Sequence, residues 1–211
     1  MQNKLNVFDL SKWKYYQNSI IPSTPPHDAP YLSKEGKKEL FKKYKKALFI
    51  RWYSHFDCKE KTEWWYVIKD TSYDIQNLKA KRRYEITKAR KFFEVKKISA
   101  LEYKEALSYV NMEASKGYKK RDRNNITHEQ IIKTFENWDK SSHLTIFAAF
   151  FKETSELCGY ALIAKQGHAI HLSLLKTIPE FEKYSLNAAL VDNILLEYDD
   201  LIKNGHYISD G

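Results

Sequence analysis

Residues 143–151 read HLTIFAAFF, residues 157–165 read LCGYALIAK and residues 168–176 read HAIHLSLLK. Each run is rich in β-branched, aromatic and aliphatic side chains, and short polar links separate them, which predicts a three-stranded antiparallel meander. The next residues, Lys183 to Asn204, carry the apolar spacing of a long amphipathic helix, and His206 to Ser209 are extended again. Upstream, Phe92 to Ile98 (FFEVKKI) reads as a strand. Ser99 with Glu102 makes a capping box that opens a helix carrying Tyr103, Leu107, Val110 and Ala114 on one face, with Gly117 as its stop. Thr127 with Gln130 makes a second box, before a helix whose buried face holds Ile131, Phe135 and Trp138. From Phe92 the predicted order is therefore β-α-α-β-β-β-α-β, an α+β arrangement with a mainly antiparallel sheet flanked by helices.

The amino-terminal part reads differently. Residues 1–46 are expected to be an extension: Pro22 to Pro30 (PSTPPHDAP) carries four prolines, which exclude a helix or a central strand. From Lys34 to Lys46, Leu40, Phe41 and Tyr44 fall at helical spacing among lysines, predicting a short surface helix. Ala47 to Phe56 (ALFIRWYSHF) and Glu63 to Lys69 (EWWYVIK) look like the two arms of a hairpin. Ile75, Leu78, Arg82, Ile86 and Ala89 then mark one face of a helix. A buried arginine needs an anion, so Arg82 or its neighbour Arg83 is expected in a structural ion pair or on a ligand.

A chain of 211 residues can bury one sizeable core. No apolar run approaches the roughly 20 residues that span a bilayer, and MQNKLNVFDLSKWK lacks the apolar segment of a signal peptide. The expected location is the cytoplasm, with peripheral contact at the inner membrane surface. Two cysteines, Cys58 and Cys158, lack metal-ligand spacing, which argues against a disulfide framework or a zinc site. Against 27 Asp and Glu stand 36 Lys and Arg, a formal net charge of +9 that favours anionic partners. The chain also holds 15 tyrosines and five tryptophans, more than a minimal core requires.

The order from Phe92 to Ser209 resembles the GNAT acyltransferase fold. The preceding WWYVIKD and KRRYEITKARKFFEVKKI, with Lys81, Arg83, Ile86 and Lys88 in a K-x-R-x-x-I-x-K helix, resemble the peptidoglycan-bridge FemAB-like branch. WKYYQNSIIPSTPPH is similar to the start of proteins of that group. The resemblance covers residues 47–211 and implies one acyltransferase domain there, with its core over 92–211. It implies N-acyl transfer to an amine, from acetyl-CoA or another acyl-CoA, or from an aminoacyl-tRNA, with no metal and no covalent enzyme intermediate. The acceptor would be a small molecule or a cell-envelope or sugar-nucleotide precursor.

Such an enzyme needs a gap between the strands His168–Lys176 and His206–Ser209 for the donor's extended arm. It also needs a helix start for the donor's phosphates and a base for the amine proton. His171 is the candidate base, because an imidazole takes a proton at neutral pH, or else a hydrogen-bonded packing residue. Alternation along this strand places Ile170, Leu172 and Leu174 on one face and His171 and Ser173 on the other. Tyr160 and Asp210 are candidates for acid or orienting roles. Leu172, Ser173 and Leu174 would line the donor arm, and Lys183, Ser185 and Asn187 would meet its phosphates. Arg83, Lys119, Arg121 and Ser173 would contact the acceptor, Lys119 and Arg121 from the basic loop Tyr118 to Asn125.

Two departures qualify the resemblance. Pro179 to Ala188 (PEFEKYSLNA) has none of the glycines that let backbone amides approach a pyrophosphate. The helix and closing strands that follow the fifth strand of the GNAT fold are absent, so a carboxy-terminally truncated domain is expected. The competing reading is a non-catalytic basic module that binds RNA or another polyanion through phosphate contacts and stacking.

Overall fold

Gln17 and Asn18 both adopt left-handed backbone, φ 45° and 59°. Two such residues in succession match the twist of flanking strands, so they close a tight hairpin of β1 (Trp13–Tyr16) and β2 (Ser19–Pro22). The structure, a computed structural model, describes residues 7–54, 56, 58–59, 68–116 and 127–210. The chain divides into two compact units, Met1–Trp65 and Tyr66–Gly211.

In the first unit α1 (Lys34–Lys43) starts at Ser33, whose hydroxyl accepts the Gly36 amide at 2.9 Å. β3 (Phe49–Ile50) then runs parallel to β2, giving a sheet ordered β1-β2-β3. Trp13, Ile20 and Leu40 form its small core, with Phe8, Leu10, Leu32, Tyr44, Ala47 and Ile50 packed around them. The boundary expected after residue 46 thus falls inside this unit, because β3 completes the sheet begun by β2.

The second unit opens with β4 (Ile68–Lys69), which pairs antiparallel with a strand near the other end of the chain. β3 and β4 therefore lie in different sheets and the hairpin expected over 47–69 does not form among the described residues. Each short strand completes a different sheet. α2 (Ala80–Phe92) begins later than expected, since Ile75–Asn77 form a separate 3-10 turn capped by Asp74. It leads directly into β5 (Phe93–Ile98). α3 (Lys104–Lys116) follows a turn in which the Glu102 amide donates to Ser99 Oγ at 3.2 Å, half of the expected box. α4 (His128–Asp139) carries the full reciprocal box of Thr127 and Gln130. The Gly117 stop and the basic loop with Lys119 and Arg121 lie outside the described residues.

The quoted runs become β6 (Leu144–Phe151), β7 (Leu157–Gln166) and β8 (Ala169–Thr177), an antiparallel meander as expected. A 3-10 turn over Pro179–Tyr184 precedes α5 (Leu186–Lys203), and β9 (Tyr207–Ser209) ends the described fold. The six strands lie in the order β4-β9-β8-β7-β6-β5, and β8–β9 is the parallel pair among antiparallel ones. α3 packs on β7 and β8 and α4 on β6, while α5 packs on β5, β6 and β7 with α2 beside it. Ring contacts separate the two layers. Tyr160 meets Trp138 of α4 at 6.3 Å, whereas Phe147, a neighbour of Tyr160's partner Ala148, meets Tyr198 of α5 at 6.0 Å. The result is an α+β fold of GNAT-like order, with a mixed, mainly antiparallel sheet between helices.

Candidate functional site

β8 is paired unequally on its two edges. Toward β7 the ladder runs the whole strand, ending with Gly159 opposite Thr177. Toward β9 it lasts three positions, Ala169 with Tyr207, Ile170 with Ile208 and His171 with Ser209. From Leu172 to Leu175 this edge of β8 has no strand partner among the described residues, the arrangement that accepts an added extended chain. The chain then turns through the 3-10 segment, so α5 starts at the same end as the open edge.

His171 is half-buried and stands at the last paired position, where β8 and β9 part. Ser209 sits opposite it, fully buried, with a hydroxyl that has no hydrogen-bond partner among the described residues. Buried hydroxyls are rarely left so, and this one marks a polar spot beside the imidazole. Ser209 was not among the residues singled out above. Its only sequence signal is its place at the end of an extended run, and the parallel register that sets it against His171 joins strands separated by a helix. Asp210 is exposed one residue beyond β9.

Opposite β7 the register of β8 slips. Leu172 pairs with Ile163 and Leu174 with Leu162, so Ser173 is the extra residue of a bulge and is exposed. Adjacent residues of β7 point to opposite faces, so Leu172 and Leu174 do too, contrary to the simple alternation expected from sequence. His171 pairs with Ala164, two pairs of residues along from Tyr160, and so shares the α3/α4 face with it. Tyr160 nevertheless pairs with Lys176, placing it roughly 13 Å farther along β7 at about 3.3 Å per residue. Burial raises its phenol well above the ordinary tyrosine value, and its hydroxyl also lacks a partner among the described residues. The structure therefore does not bring Tyr160 together with His171.

At the start of α5 two of the three expected phosphate-binding side chains, Asn187 and Lys183, already have contacts within the chain. Ser185 occupies the cap position in left-handed backbone, φ 66°, and its side chain caps nothing. Asn187 Nδ2 donates to both carboxylate oxygens of Glu182 at 3.0 Å, and the Thr177 hydroxyl donates to the same carboxylate. The Lys183 carbonyl accepts from Lys88 Nζ at 2.7 Å, and the Lys183 ammonium lies over the Tyr184 ring. The helix start thus holds a negative charge of the protein's own, favoured there by the helix dipole.

Arg82 is not buried: its side chain is 70% exposed and pairs with Glu85 at 2.7 Å. Arg83 donates to the carbonyls of Leu78 at 2.6 Å and Gln76 at 3.3 Å, holding the segment before α2. The pair with a buried carboxylate forms instead at Arg90, itself 46% exposed. Its Nε and Nη2 donate to the two oxygens of Asp192 at 2.8 and 2.9 Å, and Tyr73 donates to the same carboxylate at 2.7 Å. Asp192 is 1% exposed. Its hydrogen bond raises the Arg90 guanidinium above its ordinary value. This cluster borders a cavity of about 560 Å³ between α2 and α5, lined by Arg82, Glu85, Ile86, Glu182, Asn187 and Val191 among others.

Cys158 is buried and its thiol, pushed up to about 12 by that burial, stays protonated at neutral pH. It is no nucleophile in this state. No group of three or more metal-ligating side chains occurs among the described residues, and no described helix is long and apolar enough to cross a membrane.

No family model and no curated protein matches the chain. Among solved structures, L-PGS from Bacillus licheniformis aligns with 94% of this chain and 66% of its own, at 12% identity and a TM-score of 0.54. The likeness is one of fold, and this chain spans just under two thirds of that protein. A conserved protein of unknown function from Bacteroides thetaiotaomicron aligns with 68% of this chain and 52% of its own, at 13% identity and a TM-score of 0.48. AAC(6')-Iy in complex with a CoA-containing bisubstrate analogue aligns with 56% and 78%, at 11% identity and a TM-score of 0.42. These last two likenesses are too slight to support an argument.

Proposed function

We propose that the second unit is an N-acyltransferase of the FemAB-like kind, moving an acyl or aminoacyl group from an activated donor to an amine. The observation that carries this reading is the parting of β8 and β9 at His171 and Ser209, in front of the start of α5. The donor's extended arm adds along the open edge from Leu172 to Leu174, as a strand would. The acceptor amine approaches at the parting point and attacks the donor carbonyl. His171 takes the amine proton as the new C–N bond forms and hands that proton to the donor's leaving oxygen or sulfur as its bond to the carbonyl carbon breaks. Holding both reactants in this notch supplies the proximity that such a transfer chiefly needs.

Two donors meet the chemistry, a thioester and the ester of a charged tRNA. A pyrophosphate bound at the start of α5 does not fit the residues present, because Glu182 already fills that end and no glycine lies between Pro179 and Ala188. This favours the ester donor over acyl-CoA held in the usual manner. The net charge of +9 suits a polyanionic donor, and an amine on an envelope or sugar-nucleotide precursor is the acceptor class we assign.

The test is a melting-temperature series with acetyl-CoA, desulfo-CoA, and a short RNA ending in a non-hydrolysable aminoacyl amide. The same RNA without the aminoacyl group serves as control. A shift for the aminoacyl RNA beyond its control is expected, with a smaller response to either CoA compound. In a transfer assay with that class of donor, His171→Ala should lose about 10²- to 10⁴-fold in rate, the usual share of a general base, with its melting temperature kept. Full activity in His171→Ala removes the imidazole from the mechanism, and no response to any donor overturns the reading.

A further inference from the structure

We propose that the outer face of the three-stranded sheet in the first unit is a contact surface for single-stranded RNA. Directly paired residues share a face of a sheet, so the register sorts the side chains of β1, β2 and β3. Trp13 and Ile20 point into the core. On the opposite face Tyr16 stands across from Ser19, and Ser19 from Phe49, forming one row. Lys14 stands across from Ile21, and the Arg51 amide continues the ladder by donating to the Ile20 carbonyl, so Lys14, Ile21 and Arg51 form the next row.

The outer members of both rows face solvent. Tyr16 is 48% and Phe49 52% exposed, and they flank a Ser19 that is only 4% exposed. Lys14 and Arg51 are exposed too, and neither pairs with an acid among the described residues. Strands about 4.8 Å apart put the two rings about 10 Å from each other, with the cationic row about 7 Å along the strands. Two π-faces at that separation take two unstacked bases, and cations one row away meet the connecting phosphates. A duplex hides its base faces and offers no such match. Charge is complementary as well: the first 65 residues hold 13 Lys and Arg against seven Asp and Glu. The surface does not depend on the chemistry proposed for the second unit.

The probe is a fluorescein-labelled 12-nucleotide single-stranded RNA of mixed sequence, titrated with the full chain at 50 and 200 mM salt and read by anisotropy. Saturable, salt-sensitive binding is expected. Tyr16→Leu with Phe49→Leu keeps apolar bulk but removes the π-faces, and should weaken binding roughly tenfold or more with the salt slope unchanged. Lys14→Gln with Arg51→Gln should flatten the slope of log K against log salt by about 1.4, two single-strand phosphate contacts' worth. This second pair is read even where the leucine pair lowers the melting temperature. Equal binding by the chain and both double variants overturns the proposal. So does a 12-base-pair RNA duplex bound as tightly as the single strand, or binding to phosphatidylglycerol vesicles without RNA binding.

Discussion

Glu182 is the residue on which the choice of donor turns. Its carboxylate lies at the start of α5, held by Asn187 and Thr177, where an incoming phosphate would compete with it. Glu182→Gln keeps most of these hydrogen bonds and removes the charge. An exposed charge at a helix start is worth about 0.3–1 kcal/mol, so the variant should bind CoA compounds about two- to fivefold more tightly and lose a similar energy in stability. Isothermal titration with desulfo-CoA reads the first effect and urea denaturation the second; unchanged or weaker CoA binding would show that the carboxylate does not guard this helix end. Sequence reasoning saw the missing glycines but not this carboxylate, because Glu182 reads as one more surface acid in PEFEKY. Arg82 does form an ion pair, but an exposed one with Glu85, and the pair with a buried carboxylate belongs to Arg90. Arg82 interrupts an apolar stripe, whereas Arg90 does so less visibly, and its partner Asp192 lies 102 residues downstream, beyond the reach of helical periodicity.

Among the elements, β7 and β8 set the shape of the notch, and Gly159 lets them do so. A Cβ there would come within 2.9 Å of Thr177 Cγ2, 3.0 Å of the Lys176 carbonyl and 3.2 Å of Leu186 Cδ2. Two of these contacts are to the end of β8 and the third is to the first residue of α5, so the whole turn between them must shift. Gly159→Ala should destabilise by about 1–3 kcal/mol, as overpacking in a core does, and should lower transfer activity more than stability alone explains. A wild-type urea midpoint in Gly159→Ala would show that the turn gives way freely. Elements whose signals are local were legible: the meander, the box of Thr127 and Gln130, and the order of helices and strands after Phe92. Elements that depend on distant partners were not. β3 and β4 are two-residue strands that look like hairpin arms, yet each is fixed by the free edge of a different sheet. The bulge at Ser173 was hidden for the same reason, since an alternating pattern carries no mark of the register slip opposite β7. His171 was found at the parting of β8 and β9, whereas Tyr160, picked from the same pattern, proved to be remote from it.

At the scale of the whole molecule, stability against pH reports how the segment before α2 is tied to α5. Asp199 on α5 accepts from the Tyr73 amide and the Ser72 hydroxyl and pairs with Lys203 at 2.6 Å, while the Tyr73 hydroxyl reaches Asp192 about two turns away on the same face of the helix. The Lys203 ammonium, then the Tyr73 amide, holds the Asp199 carboxyl below its ordinary 3.8. A depressed carboxyl binds fewer protons folded than unfolded, so its contribution is complete above about pH 4 and is lost as pH falls through the lowered value. Tyr73 works in the opposite sense. Burial, reinforced by Asp192, raises its phenol above the ordinary 10.0, so the folded state keeps its proton longer than the unfolded one. That contribution is intact below pH 10 and drains away as pH rises beyond it; buried Tyr160 and Tyr198, raised by the same cause, add to this alkaline loss. Urea midpoints between pH 2 and 11 should therefore give a plateau with a fall at each end. Asp199→Asn should start from a lower plateau and show a shallower acid fall. Tyr73→Phe should show a shallower alkaline fall and leave the acid side unchanged, because it keeps the backbone amide that Asp199 accepts. An acid fall equally steep in Asp199→Asn would mean that other carboxyls govern the acid limit, and that the clamp on α5 contributes little to holding the fold.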